Sequence, residues 1–551
     1  MAVSTGSVLA APDVPTLATA SRPSLRRAAV VAVALCAAVG LLSVALGPDN
    51  YWDLRYYHLY IPWAYLHDRY LYDVAPAEYQ SFFNPLADFL FYGLISSPLN
   101  AMPRVIAFIM GAVHGVNVVL VAAISWHVLR PHDQSTRAAL CAAAALIGVT
   151  GAGFVPLVGT TSNDLVNSIF ILGGFLGVLR LAVARGDRAL WRGFAWSGLS
   201  TGVGIGLKYT VAIYAPGLAV VALLVAVRRR RFVGLPTFGI CAALGFLGLA
   251  GHHLLTLWRD FGNPIFPMMN DVFQSPYFEP VSGADGMFRA QGIWQLLTFP
   301  FDWARTGSYV VSELPLRDWR AAIACLALVV ALGTRAAAVL TGGPTRDADR
   351  ETCGLGLLLV FVGVSYVVWA LVFGNCRYGV TLEMLTGVII VGAVIQVARR
   401  PALRIVAAGA LLAVAAATTV YPDWGRGRFG ERYVDVRVPP MPARSLVLIA
   451  TGDPVAFFIP FAEPTAQYIG IENDFLDLSQ DNLLVAKARE LMRTPGRAKF
   501  IVNVGTFDRA RLDRILAQFG LTLGAAPCRP IRSNLENPAM SICPAVLRPR
   551  V

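Results

Sequence analysis

Apolar residues gather into eleven long runs separated by short polar loops, centred on 28–46, 104–127, 138–157, 164–184, 193–207, 210–227, 233–255, 320–340, 354–373, 380–398 and 402–420. A helix crosses the hydrocarbon of a bilayer in about 20 apolar residues, and it does so with every backbone polar group satisfied internally. The pattern therefore predicts an α-helical polytopic membrane protein with about eleven transmembrane helices. Past Tyr421 the long runs stop. Residues 445–451 and 499–504 read as strands and 483–493 and 510–519 as helices, which predicts a small α/β domain.

Charge then orients the chain. Placing the N-terminus in the cytoplasm puts Arg130/Arg137, Arg180/Arg185/Arg188/Arg192, Arg228 to Arg231, Arg335/Arg346/Arg350 and Arg399/Arg400/Arg404 all on that side. Short cytoplasmic loops carry an excess of Lys and Arg, so the arrangement obeys the positive-inside rule. The division expected is a disordered cytoplasmic N-terminus over 1–27, a transmembrane domain over 28–420 with outer loops 48–103 and 256–319, and an extracytoplasmic α/β domain over 421–551. The run after Arg22, Arg26 and Arg27 reads as an uncleaved first helix, because Gly47-Pro48-Asp49 offers no small-x-small cleavage site.

Composition supports this picture. A chain that is 56% hydrophobic and 15% charged is not a soluble globule. The net charge of +12 sits in the loops between spans, so it sets orientation and implies no nucleic-acid partner. Cys36, Cys141, Cys241 and Cys325 lie inside apolar runs and form no metal-ligating pattern. Cys528 and Cys543 would pair in an oxidising exterior compartment.

The candidate chemistry lies on the outer face. The stretch Gly47 to Trp63 holds Asp49, Asp53, Arg55 and His58 among aromatics such as Tyr51, Trp52, Tyr56 and Tyr57, and interfacial anchoring explains the rings but not the carboxylates. Residues 82–92 read as an amphipathic interfacial helix, and the Pro- and aromatic-rich stretch from Gly262 through Asn263 to Phe278 as a cap over a cleft. Ionisable residues at membrane depth are functional candidates by default, which singles out Asp164, Lys208, Arg377 and Glu383. Asp164 either completes a helix N-terminus or joins a site; Lys208 pairs with an acid or a phosphate. His58 bonds Asp53, meets an acceptor, or simply sits at the interface. His114 reads as a helix-packing residue, and His252 and His253 point to different faces.

Asp53-Leu-Arg-Tyr-Tyr-His58, at the outer end of the first apolar run, resembles the Asp-x-Leu-x-Tyr-His pattern in the first outer loop of GT-C-type membrane glycosyltransferases, which include bacterial aminoarabinose and protein mannosyl transferase-like enzymes. Cys376-Arg-Tyr-Gly379 is similar to the Arg-Tyr pair of that family, and Lys208-Tyr-Thr210 to its Lys-aromatic-Thr pattern. The resemblance implies an inverting transfer of a sugar from a polyprenyl-phosphate carrier to an extracytoplasmic acceptor (lipid, glycan or protein) at a bacterial-type inner membrane. It implies Asp53 as the base, with His58 and Asp49 beside it, and Arg377, Tyr378, Lys208, Asp164, Tyr57 and Asn263 as substrate-binding residues. No Asp-x-Asp or Asp-Glu pair stands at Asp53, so no metal and no cofactor is expected. The competing readings are a secondary transporter using Asp164, Lys208 and Glu383, and a non-catalytic envelope assembly subunit.

Overall fold

The computed structural model describes residues 25–129, 134–183, 187–283, 286–305, 307, 309–340, 348–471, 473, 475–477, 479–535 and 538–548. Residues 1–24 of the expected N-terminal tail, with Arg22, and the loop arginines Arg130, Arg185 and Arg346 lie outside the described residues, whereas Leu25, Arg26 and Arg27, expected in that tail, already belong to the first helix. The long helices are α1 (Leu25–Leu46), α2 (Pro103–Val128), α3 (Gln134–Val149), α4 (Asp164–Val183), α5 (Asp187–Leu207), α6 (Ala215–Arg229), α7 (Gly234–Phe261), α8 (Arg320–Leu340), α9 (Ala348–Val372), α10 (Val380–Val397) and α11 (Pro401–Thr418).

Among the described residues, nine helices are long and apolar enough to cross a membrane, so the protein is multi-pass. The two exceptions, α3 and α5, mark where the expected count of eleven is not reached by that measure. α5 carries Arg192, Ser197, Ser200 and Thr201, which lower its apolarity. α3 has 16 residues, about 24 Å of helix. Its apolar run was expected to continue to 157, but the chain turns at Thr150 because two buried carboxylates need its backbone donors. Glu383 on α10 accepts from Gly153 N at 2.8 Å and Phe154 N at 2.9 Å, and Asp318 accepts from Ala152 N at 2.9 Å.

Close helix approaches depend on small residues. Gly111 and Gly115 lie one turn apart on α2, where an added Cβ would meet Val39 O at 2.8 Å and Cys36 Cα at 2.6 Å on α1. Gly148 and Gly387 bring α3 and α10 together in the same way, and Gly198 and Gly202 bring α5 onto α7. Without a hydrophobic drive between helices in lipid, such backbone contact supplies the packing.

The chain after α11 forms a seven-stranded sheet of β1 (Val436–Arg437), β2 (Leu446–Ala450), β3 (Gln467–Ile471), β4 (Lys499–Val504), β5 (Leu521–Leu523), β6 (Arg529–Ser533) and β7 (Met540–Leu547), with α12 (Leu483–Arg493) and α13 (Arg509–Ala517). The order is β1-β6-β7-β4-β2-β3, with β5 also on β7. β2 is parallel to β3 and β4, and the other pairs are antiparallel. Every residue of β2, β3 and β4 is buried, so both faces of these strands are covered, including those of β3 at the end of the sheet. Cys528 and Cys543 are disulfide-bonded.

One covering layer of this sheet comes from the first outer loop. Leu54, Tyr57, Tyr60 and Trp63 share a hydrophobic core with Val447, Ile449, Phe457, Tyr468 and Val502. Val74 pairs with Ile469 at the free edge of β3. Arg69 clasps Asp73 through Nη2 at 2.8 Å and Nε at 3.0 Å, and Asp73 also accepts from Tyr468 N at 2.9 Å. The membrane helices and the C-terminal sheet therefore meet through the loop that carries Asp53.

Candidate functional site

Asp53 stands at the start of a five-residue π-turn, Leu54–His58, that follows the exit from α1. Leu54, Tyr56, Tyr57 and Leu59 all enter the core, and the wide turn accommodates that run of buried side chains while leaving Asp53 at its mouth. Asp53 Oδ2 accepts from Arg377 Nη1 at 2.8 Å, across 324 residues of sequence. Both side chains are mostly buried, 12% exposed for Arg377 and 15% for Asp53.

Arg377 occupies the turn between α9 and α10. Asn375 Oδ1 accepts from its backbone N at 3.0 Å, and its guanidinium carbon lies 5.4 Å from the Tyr51 ring, 5.4 Å from Trp424 and 5.7 Å from Tyr378. Glu313 Oε1 is 3.9 Å from Nη2 and accepts from Asn375 Nδ2 at 3.0 Å. Nε is buried with no hydrogen-bond partner. A buried guanidinium with an unused donor is uncommon in a purely structural position. Its planar fork and permanent charge suit phosphate oxygens.

A second ion pair adjoins the first. Asp164, first residue of α4, accepts from Lys208 Nζ at 2.6 Å and from Ser162 Oγ at 2.8 Å. Lys208 Nζ lies 5.3 Å from the Tyr378 ring, so Tyr378 stands between the two cations. Tyr209 Oη and Thr210 Oγ1, which follow Lys208, are buried without hydrogen-bond partners. Four stretches distant in sequence thus converge: Asp53, Asp164, Lys208 and Arg377-Tyr378.

The other residues singled out from the sequence are placed differently. Asp49 is buried, and its carboxylate is fully engaged: Oδ2 accepts from Thr161 N and Oγ1, both at 2.7 Å, and Oδ1 accepts from Tyr51 N at 2.9 Å. It ties the loop after α1 to the 158–162 turn. His58 donates from Nδ1 to Asp88 Oδ1 at 2.6 Å rather than to Asp53, Asn163 Nδ2 donates to the same oxygen at 2.9 Å, and His58 Nε2 is buried without a partner. Tyr57 packs on His58 with ring centroids 4.1 Å apart. Burial, then the Asp53 and Asp88 charges, push the Tyr57 phenol well above its ordinary pKa, so it stays a neutral O–H. Asn263 is buried in its own loop, donating to Met268 O at 3.0 Å and accepting from Ile265 N at 3.0 Å. In the expected interfacial segment 82–92, helix begins only at Phe89, after a 3₁₀ turn over Pro85–Ala87 capped by Asn84.

Sequence reasoning missed Glu313, Asn375 and Trp424 as neighbours of Arg377. Glu313 also borders a cleft of about 630 Å³ whose wall includes Phe288, Arg289, Gln291, Gln295 and Tyr309. One usable signal was an Asn two residues before the Arg, the spacing of an Asx turn. Glu313 and Trp424 come from loops whose path only the fold determines. Among the described residues, no group of three or more His, Cys, Asp and Glu is gathered as a metal site would need.

No family model matches the chain. No curated protein sequence matches it either. Among solved structures it is similar to the arabinofuranosyltransferase AftD from Mycobacteria, at 12% identity and a TM-score of 0.50 over 95% of this chain and 40% of that one. It is also similar to an oligosaccharyltransferase from Archaeoglobus fulgidus in the apo form, at 11% identity and a TM-score of 0.44 over 86% of this chain and 69% of that one. The A. fulgidus oligosaccharyltransferase AglB in complex with an inhibitory peptide and a dolichol-phosphate gives 13% identity and a TM-score of 0.42 over the same shares. At these identities the likeness is one of fold, and the chain spans about two fifths of the AftD chain. The fold is GT-C-like, as the sequence resemblance implied.

Proposed function

We propose that the protein is an inverting glycosyltransferase that moves a sugar from a polyprenyl-phosphate carrier to an acceptor on the outer face of a bacterial-type inner membrane. The observation that carries this reading is the Asp53–Arg377 pair, a base and a phosphate-binding cation in contact at 2.8 Å within an aromatic box. The likeness in fold to an arabinofuranosyltransferase supports it.

The chemistry follows from the pair. The carrier phosphate displaces Asp53 from the Arg377 fork, with the unpartnered Nε as a further donor. An acceptor hydroxyl attacks the anomeric carbon on the face opposite the phosphate, forming the new C–O bond. The old C–O bond breaks and its electron pair leaves on the phosphate, whose growing charge Arg377 offsets, assisted by Lys208. The hydroxyl proton passes to Asp53. The carboxylate takes that proton late, once the oxygen has begun to bond to carbon. The cleft beside Glu313 is the acceptor's approach.

The test uses the purified full chain and polyprenyl phosphate alone. A ligand that binds only the native state stabilises it by about 2.7 kcal/mol at a hundredfold excess over Kd. Wild type should show a rise in unfolding temperature that Arg377→Ala loses. A folded wild type that does not respond would reject the carrier site. Once a donor is found, Asp53→Asn should lower turnover by about 10²- to 10⁴-fold without loss of carrier binding.

A further inference from the structure

A groove at the end of the bundle remote from Arg377 has the chemistry of a lipid site, and it is independent of the transferase reading. It lies between α4, α6 and α9, has a volume of about 380 Å³, and is walled by Ala182, Leu224, Val225, Leu357 and Val360, with the exposed Gly356 also on its lining. An added Cβ at Gly356 would meet nothing within 4 Å, so the space above it is open. That volume is within the range of small-molecule pockets. α6 runs 15 residues from the Lys208 end to this one, about 22 Å.

Four consecutive arginines, Arg228 to Arg231, stand where α6 ends. Arg229 is fixed: its Nη2 donates to Ala182 O at 2.6 Å and Leu181 O at 3.3 Å, capping the last turn of α4. Arg228, at the mouth of the groove, and Arg230, which ends the helix in a left-handed conformation, are exposed. Among the described residues, no carboxylate lines the groove. An apolar slot opening onto guanidinium groups matches one occupant, an amphiphile with an aliphatic tail and an anionic head.

We infer that this groove binds an anionic phospholipid, with one acyl chain along Leu224, Leu357 and Val360 past Gly356 and the phosphate against Arg228, Arg230 adding positive charge at the same helix end. Each basic side chain beside an anionic lipid contributes on the order of fivefold in affinity. The slot adds chain burial that a bare basic surface lacks.

Native mass spectrometry of the full chain in neutral detergent tests it, using phosphatidylglycerol and phosphatidylcholine of identical chains. Phosphatidylglycerol should be retained preferentially. The double variant Arg228→Gln/Arg230→Gln should lose up to about 25-fold of that retention. Gly356→Leu, which fills the slot at a position where helix tolerates Leu, should lose it as well. Equal retention of the two lipids, or wild-type retention by the Arg double variant, overturns the inference. Loss with the Arg variant but not with Gly356→Leu reduces the site to surface charge and overturns the groove. Thermal unfolding of each variant verifies its fold, and polyprenyl-phosphate stabilisation should be unchanged in both.

Discussion

Two ion pairs of identical length, 2.8 Å each, make opposite predictions because they differ in burial. Arg320 and Asp318 are each 1% exposed, and the guanidinium also donates to Ile147 O at 2.5 Å, Thr150 O at 2.6 Å and Thr419 Oγ1 at 2.6 Å. Arg320→Met therefore leaves a buried carboxylate without its cation, held only by the backbone donors of residues 152 and 320, and takes a charged donor from Ile147 O and Thr150 O. Breaking a fully buried pair from one side costs about 3–5 kcal/mol, a large share of the ~5–15 kcal/mol that holds a typical domain. Arg377→Met removes a cation from Asp53, which is 15% exposed and can be rehydrated in an open site, so the loss should approach that of an exposed pair, about 1 kcal/mol. Carrier affinity should move the other way. A hydrogen bond to a charged group contributes about 1.5–3 kcal/mol, so Arg377→Met should weaken polyprenyl-phosphate binding by roughly 10- to 150-fold. Thermal unfolding in detergent, with and without polyprenyl phosphate, reads both quantities. Arg377→Met destabilising as much as Arg320→Met would refute the assignment of Arg377 to a ligand-binding rather than a structural pair.

Two further variants probe the scaffold. An added Cβ at Gly151 would fall inside the Glu383 carboxylate, so Gly151→Ala should cost about 1–3 kcal/mol of stability, measured by thermal unfolding. Arg69→Met leaves the buried Asp73 beside Tyr468 and Tyr60 without its cation, and should cost about 3–5 kcal/mol of docking between the outer loop and the sheet. Hydrogen exchange should then rise first in the loop around Asp53 and along β3, with the membrane helices unaffected.

What could be read from the sequence was what depends on local pattern. The positions of the eleven helices follow from apolar runs, and β2 and β4 from short buried ones. Arg377, Asp164 and Lys208 stood out because ionisable groups near membrane depth are rare. Roles set by distant partners were not legible. Asp49 and Asp53 are both carboxylates four residues apart, yet only the fold gives Asp49 the Thr161 donors, 112 residues away, and Asp53 the Arg377 fork, 324 residues away. The break after α3 was hidden for the same reason: Glu383, whose partners could not be found on its own helix, proves to hold backbone donors 229 and 230 residues distant. β6 was missed because it is mostly polar, and β7 because Pro544 interrupts its apolar run.

The C-terminal sheet, whose role the sequence left blank, has a physical function in positioning the candidate base. Asp53 is the first residue of a turn whose next side chains are anchored in a core shared with β2, β3 and β4. Tyr433, ahead of β1, reaches the same region: its hydroxyl accepts from Asp49 N at 2.9 Å. Arg426 reaches back from the same segment to Pro156 O at 2.6 Å and Val158 O at 2.7 Å. The loop is therefore held from above by the sheet and from below by the helix ends that carry Asp164 and Arg377. A carboxylate that must sit within hydrogen-bond reach of an acceptor hydroxyl requires that kind of double anchorage, since a misplacement of about 1 Å costs on the order of 10²-fold in rate. A membrane bundle alone fixes Arg377 and Asp164 through helix packing, but it cannot fix the 56-residue connection between α1 and α2, Gly47 to Met102. The C-terminal sheet does so.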